Sequence, residues 1–189
     1  MANHQHFILH KPYGYLSQFI NNQTKRKKKM LGELFDFPKG TMAIGRLDVT
    51  SEGLLLLTTD GKVSEYIRSK HVEKEYIVQV DGIISKTAIE KLKNGISISI
   101  EGKKYLTQPC QAEAIEDPHF PKRTQKIRDD RHGPTSWARI IIREGKFRQV
   151  RKMTAAVGYP TLRLIRVRIG SIHLNQLEVG KVEEVERFV

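Results

Sequence analysis

The stretch AIGRLDVTSEGLLLLTTDG, residues 43–61, changes character in its middle. Residues 54–58, LLLLT, form a continuous apolar run of strand length, which predicts a strand entering the core. Arg46, Leu47 and Asp48 stand just before it, so two charges sit at the threshold of that core. The ordinary use of such an aspartate is an Asx-turn or a helix cap. Pairing with Glu52 as acid and base would instead suit a glycosidase. Spacing alone leaves both open.

Outward from this stretch, DGKVSEYIRSK predicts a turn and a helix, and HFILHKP near the start predicts a short strand stopped by Pro12 and Gly14. MLGELFDFPKG reads as a short helix ending before Pro38. KEYIVQVDG, residues 74–82, alternates with period two and places Tyr76, Val78 and Val80 on one strand face. SKTAIEKLKNG carries a Ser85 cap, Ile89 and Leu92 at helical spacing, and Gly95 as a stop. ISISIEGKKYLTQPCQAEAIE predicts a strand, a tight turn and a second strand, and SWARIIIREG a further strand. In KFRQVRKMTAAVG a helical wheel groups Phe147, Val150, Met153, Thr154 and Val157 on one face, opposite Arg148, Arg151, Lys152 and Ala155. PTLRLIRVRIG interleaves Leu162, Leu164, Val167 and Ile169 with Arg163, Arg166 and Arg168, and KVEEV closes the fold as a last strand. The mixture lacks a regular βαβ repeat, which predicts an α+β fold with a largely antiparallel sheet. No long linker divides the chain, so residues 5–187 read as one domain, with a basic loop at 21–30 and an irregular insert at 117–134.

The 189 residues carry a formal net charge of +12. Such a field favours a polyanion, nucleic acid or an anionic membrane surface. Its distribution favours nucleic acid: from Arg139 to Arg168 there are nine Lys/Arg and one acid, Glu144, which predicts a basic face. A single cysteine, Cys110, excludes an internal disulfide and fits a reducing compartment. No basic leader followed by an apolar stretch opens the chain, and no apolar run is long enough to cross a membrane, so a cytoplasmic location is expected.

A zinc deaminase needs a Pro-Cys-x-x-Cys, and Pro109-Cys110 has no second cysteine. The dinucleotide and P-loop glycine patterns are missing, and the histidines show no metal-ligand pair. These absences narrow an RNA or DNA enzyme to one working without metal or redox cofactor.

Five motifs then occur in order: Lys11-Pro12-x-Gly14, Gly45-Arg46-Leu47-Asp48, Gly53-Leu54-Leu55, Lys74-x-Tyr76 and Gly145-x-x-Arg148-Gln149-Val150-Arg151. Together they resemble the pseudouridine synthases, in the branch with an RsuA-like catalytic domain that modifies bacterial ribosomal RNA. The likeness covers nearly the whole chain. It points to the members acting on large-subunit rRNA through the insert ending Pro134-Thr135-Ser136-Trp137 and the closing GYPTLRLIRVRIG. It departs at Thr50, where relatives often carry an acid. The resemblance implies a mixed sheet with flanking helices, two interlocked halves, a central RNA-binding cleft and no S4-like module in front. It implies that Asp48 is the catalytic aspartate, Arg151 its cationic partner and Tyr76 the ring on which the base stacks. Arg46, Lys11, Arg148, Lys152, Lys146 and Arg166 become candidate RNA contacts, with Leu162 and Leu164 as the apolar wall of a uracil pocket. Isomerisation adds and removes nothing, so no cofactor or metal is expected. The expected partner is large-subunit rRNA, free or in an assembly intermediate, met by a monomer. Rival readings are a non-catalytic rRNA-binding or assembly factor, a glycosidase, and a synthase acting on small-subunit rRNA.

Overall fold

In a computed structural model that describes residues 4–20, 28–69 and 72–188, glycines and capping residues cut the described residues into eleven strands and three α-helices. In chain order these are β1 (His6–Lys11), β2 (Met42–Ile44), β3 (Glu52–Thr58), α1 (Gly61–Arg68), β4 (Lys74–Asp81), α2 (Lys86–Asn94), β5 (Ser97–Ile100) and β6 (Lys103–Leu106). They continue with β7 (Gln111–Ile115), β8 (Thr135–Ile142), α3 (Gln149–Ala156), β9 (Thr161–Ile169), β10 (Ile172–His173) and β11 (Val182–Val185). The expected helix before Pro38 is a single 3-10 turn, Leu31–Glu33. No helix among the described residues is long and apolar enough to cross a membrane.

Two compact units emerge, Met1–Val72 with Ile165–Val189, and Glu73–Leu164. In the first, β3 is buried at every position, which explains its unbroken apolar run: each residue has a covered face to fill. β1 lies antiparallel along one edge of β3 and carries β11 antiparallel on its other side. The opposite edge of β3 is shared, antiparallel to β2 at Leu56–Thr58 and parallel to β9 at Glu52–Gly53. Phe7, Leu9, Leu31, Leu55 and Leu57 form a core beneath this sheet, with Phe19, Leu34 and Phe37 packed on its margin. Asp60 caps α1 by accepting from Lys62 N at 2.8 Å, satisfying an amide that the first turn leaves unpaired.

In the second unit, β8 is central, with β4 and β7 antiparallel on its two sides. Tyr76, Val78 and Val80 share the buried face of β4 as the alternation predicts. Ser85 accepts from Ala88 N at 3.2 Å to start α2, and Gly95 ends it at φ 89°. β5 and β6 form a separate hairpin.

Two expectations need correction here. Arg148, at φ 53°, holds the N-cap of α3, so the helix starts after Phe147 and the wheel drawn through that residue loses phase. Phe147 is therefore 67% exposed, while Val150, Met153 and Thr154 are buried as expected. The arginines of β9 are also not all solvated: Arg163 and Arg166 are buried. The 117–134 insert contains only a 3-10 turn, Asp130–His132, yet it is anchored. Arg128 donates to Asp81 at 2.6 Å, Arg163 donates to the Pro121 carbonyl at 3.0 Å, and Phe120 packs on Trp137. Of the basic loop, residues 21–27 lie outside the described residues. Lys29 stacks over the Tyr15 ring at 5.4 Å.

Candidate active site

Asp48 lies in the loop between β2 and β3, and its side chain is half-buried. The backbone on both its flanks is held by the loop after β1. Ser17 Oγ donates to the Leu47 carbonyl at 2.8 Å and accepts from Leu47 N at 2.9 Å. On the other flank, Gly14 N donates to the Val49 carbonyl at 2.7 Å. That loop is tied in turn by Lys11, whose Nζ donates to the Pro12 and Tyr15 carbonyls at 3.0 and 2.7 Å. The main chain on both sides of Asp48 is thus held in place.

Lys11 is fully buried, and this corrects its assignment as an RNA contact. An ammonium with no solvent exposure cannot reach a phosphate; it serves the architecture around Asp48. Burial pushes its pKa down to about 7, opposed first by Glu52 and then by Asp48, with Arg166 pushing the same way as burial. Unfolded, the same amine titrates near 10.4. Between those values the unfolded chain holds a proton that the folded one has lost, so stability rises with pH across that window. Below about pH 7 both states are protonated, and the penalty for burying the charge is fully present. Wild type is expected to gain stability over Lys11→Met by up to about 1.4 kcal/mol per pH unit above pH 7. Urea unfolding of both proteins from pH 6.5 to 9.5 measures this, and parallel curves would show that the amine titrates normally.

Arg166 is the second corrected RNA contact. It is 3% exposed, and its Nε donates to the Leu54 carbonyl at 2.8 Å, which ties β9 to β3. Arg46, by contrast, is exposed.

The other predicted residues belong to the second unit. Tyr76 lies opposite Ile140 in the β4–β8 pairing and is 9% exposed. Arg151 and Lys152 project from α3 and are half-buried, whereas Lys146 and Arg148 are exposed just before it. Arg151 Nη1 reaches the Thr161 carbonyl at 3.5 Å, and Lys152 Nζ donates to the Ser99 carbonyl at 2.8 Å. Leu164 is buried and Leu162 half-buried.

Sequence reasoning missed the group that orients α3. Glu144, the lone acid of the basic stretch, is buried and accepts from the Tyr105 hydroxyl, from Gln108 N at 3.0 Å and from Gln149 Nε2 at 2.7 Å. Gln149 Oε1 accepts from Lys146 N at 3.1 Å, which sets the entry to the helix. The lone acid among nine cations was the available signal. The continuous basic face is also narrowed: Arg139 pairs with Glu75 and Glu113, and Arg143 with Glu73. Cys110 offers no rival nucleophile, because burial pushes its thiol up to about 11.

Asp48 is thus a half-buried carboxylate in a loop whose main chain is held on both sides. The sequence and fold that hold it occur in known proteins. The family model for RNA pseudouridylate synthase matches residues 5–156. A protein named ribosomal large subunit pseudouridine synthase E from Vibrio vulnificus (strain CMCP6) is 38% identical over 189 residues, covering 98% of this chain and 76% of that one. Its namesake from Xanthomonas axonopodis pv. citri (strain 306) is 40% identical, covering 90% of this chain and 88% of that one. A crystal structure of a pseudouridylate synthase superposes with a TM-score of 0.76 at 29% identity, covering 98% of this chain and 71% of that chain. A Cbf5-Nop10-Gar1 complex chain, at 14% identity and a TM-score of 0.59, shares the fold alone. Motif order, family model and these relatives agree, and the chain belongs to the RNA pseudouridylate synthases, isomerases that convert uridine to pseudouridine.

Proposed function

We propose that the chain isomerises a specific uridine of large-subunit ribosomal RNA to pseudouridine, with Asp48 as the catalytic carboxylate. The observation that carries this is the clamp on Asp48: Ser17 and Gly14 hold the residues on either side of a half-buried carboxylate. The relatives named for the large subunit support the choice of RNA.

The reaction breaks the bond from N1 to C1′, turns the uracil and joins C5 to C1′; the proton on C5 is transferred to complete the product. A carboxylate against the sugar serves it by attack at C1′ or by assisting loss of the base and taking the proton. By the family likeness Tyr76 takes the role of the ring against which the uracil stacks, Arg151 that of the cationic group, and Leu162 and Leu164 that of the apolar wall. Unstacking the target base costs a few kcal/mol, and stacking on an aromatic ring returns roughly 1–3 kcal/mol of it. Arg46, Arg148, Lys146 and Lys152 contact the RNA, and the 117–134 insert contributes to choosing the site.

The test is pseudouridine mapping in the rRNA of cells lacking the protein. One large-subunit uridine is expected to stay unmodified and to be restored by wild type but not by Asp48→Asn. An intact modification pattern would remove the proposal, and a missing small-subunit position would move the target.

A further inference from the structure

Phe147 is out of place for a protein interior: it is 67% exposed immediately before α3, although its neighbours Val150 and Met153 are buried. The left-handed Arg148 turns it away from the core, a conformation that a non-glycine residue adopts only when the surroundings enforce it. Lys152 Nζ lies 5.3 Å from the Phe147 ring centre and is fixed there by its bond to the Ser99 carbonyl at 2.8 Å. Next to it, Lys146 Nζ lies 4.9 Å from the ring of Tyr105, whose hydroxyl is held by Glu144. Lys103 and Lys104 stand exposed on β6, the strand that carries Tyr105. The cluster thus pairs aromatic rings with ammonium groups, on a hairpin and a helix start that polar bonds hold in place.

We propose that Phe147, flanked by Lys146 and Lys152, is a stacking platform for an unpaired base of single-stranded RNA. This rests on the reading of the chain as an enzyme acting on RNA, and it adds a base contact to the one assigned to Tyr76. The charges argue against an apolar protein partner, which would have to strip water from several ammonium groups without compensating them. A nucleotide satisfies both features, with its base on the ring and its phosphate on the lysines. Duplex RNA does not, because its base faces are already covered by their neighbours.

The experiment uses full-length wild type, Phe147→Leu and Phe147→Trp with a fluorescent single-stranded RNA dodecamer and a duplex of the same sequence. Stacking of this kind is expected to make Phe147→Leu bind the single strand about tenfold more weakly. Duplex binding and the unfolding midpoint are expected to stay unchanged, and Phe147→Trp to restore the single-strand affinity. Unchanged affinity in Phe147→Leu overturns the platform, as does an equal loss on duplex or a failure of Phe147→Trp to restore binding. Pseudouridine formation on large-subunit rRNA fragments, measured in parallel, separates the two readings. If wild type modifies none of them while the Phe147 effect persists, the rRNA assignment falls and the platform stands.

Discussion

Asp48→Asn is expected to fold, to bind RNA and to lose pseudouridine formation by about four orders of magnitude or more, as removal of an essential nucleophile does elsewhere. It should fold because the clamp on this segment is made by the main chain: Leu47 and Val49 are held by Ser17 and Gly14, and Ser51 N donates to the Asp48 carbonyl at 3.0 Å. Single-turnover assays on an rRNA fragment, with binding measured separately, read the effect, and near-normal turnover would end the catalytic assignment. Glu52→Gln gives the contrasting result. Glu52 is 1% exposed and is the main charge supporting the buried Lys11, so its neutralisation should lower stability. Turnover per folded molecule should change far less, which distinguishes this chemistry from a hydrolase with paired carboxylates.

Gly53→Ala should have the largest effect on stability. Gly53 sits at φ 105°, where any side chain is strained, and faces Arg166 across the parallel β3–β9 pairing. An added Cβ would lie 2.3 Å from the Arg166 carbonyl oxygen and 2.7 Å from its nitrogen. Both are main-chain atoms, so no side chain can swing aside. Strain and overpacking together should cost on the order of 3–5 kcal/mol, a large fraction of an ordinary domain's stability. The melting temperature should fall by roughly 10 °C, and an unchanged melt would show that the two strands separate without penalty.

The elements most legible in the sequence were those whose signals were local. β4 announced itself by alternation and α2 by Ser85 and Gly95, and both stand where expected. β3 showed in its apolar run but begins earlier, at Glu52, because a buried carboxylate and a strained glycine carry no strand signal. The surroundings of Asp48 were hidden for another reason. Ser17 lies 30 residues from its partner Leu47, and nothing in either neighbourhood marks the pairing. Arg163, Arg166 and Lys11 read as surface cations because long charged side chains are usually solvated. Burial of the two arginines depends on distant partners, the Pro121 and Leu54 carbonyls, whereas Lys11 turns back on the Pro12 and Tyr15 carbonyls beneath a covered strand.

The unit that carries Asp48 is made from two separate segments, before and after the continuous segment Glu73–Leu164. On a translating ribosome the continuous segment therefore has all its residues first. β1 gains its β11 neighbour only once Val185 has been added, and β3 waits until residue 166 for its contact with β9. Until then these apolar strands have unpaired edges, the state in which nascent chains are most exposed to aggregation. Assembly of the Asp48 unit therefore waits on residues made after the whole of the continuous segment.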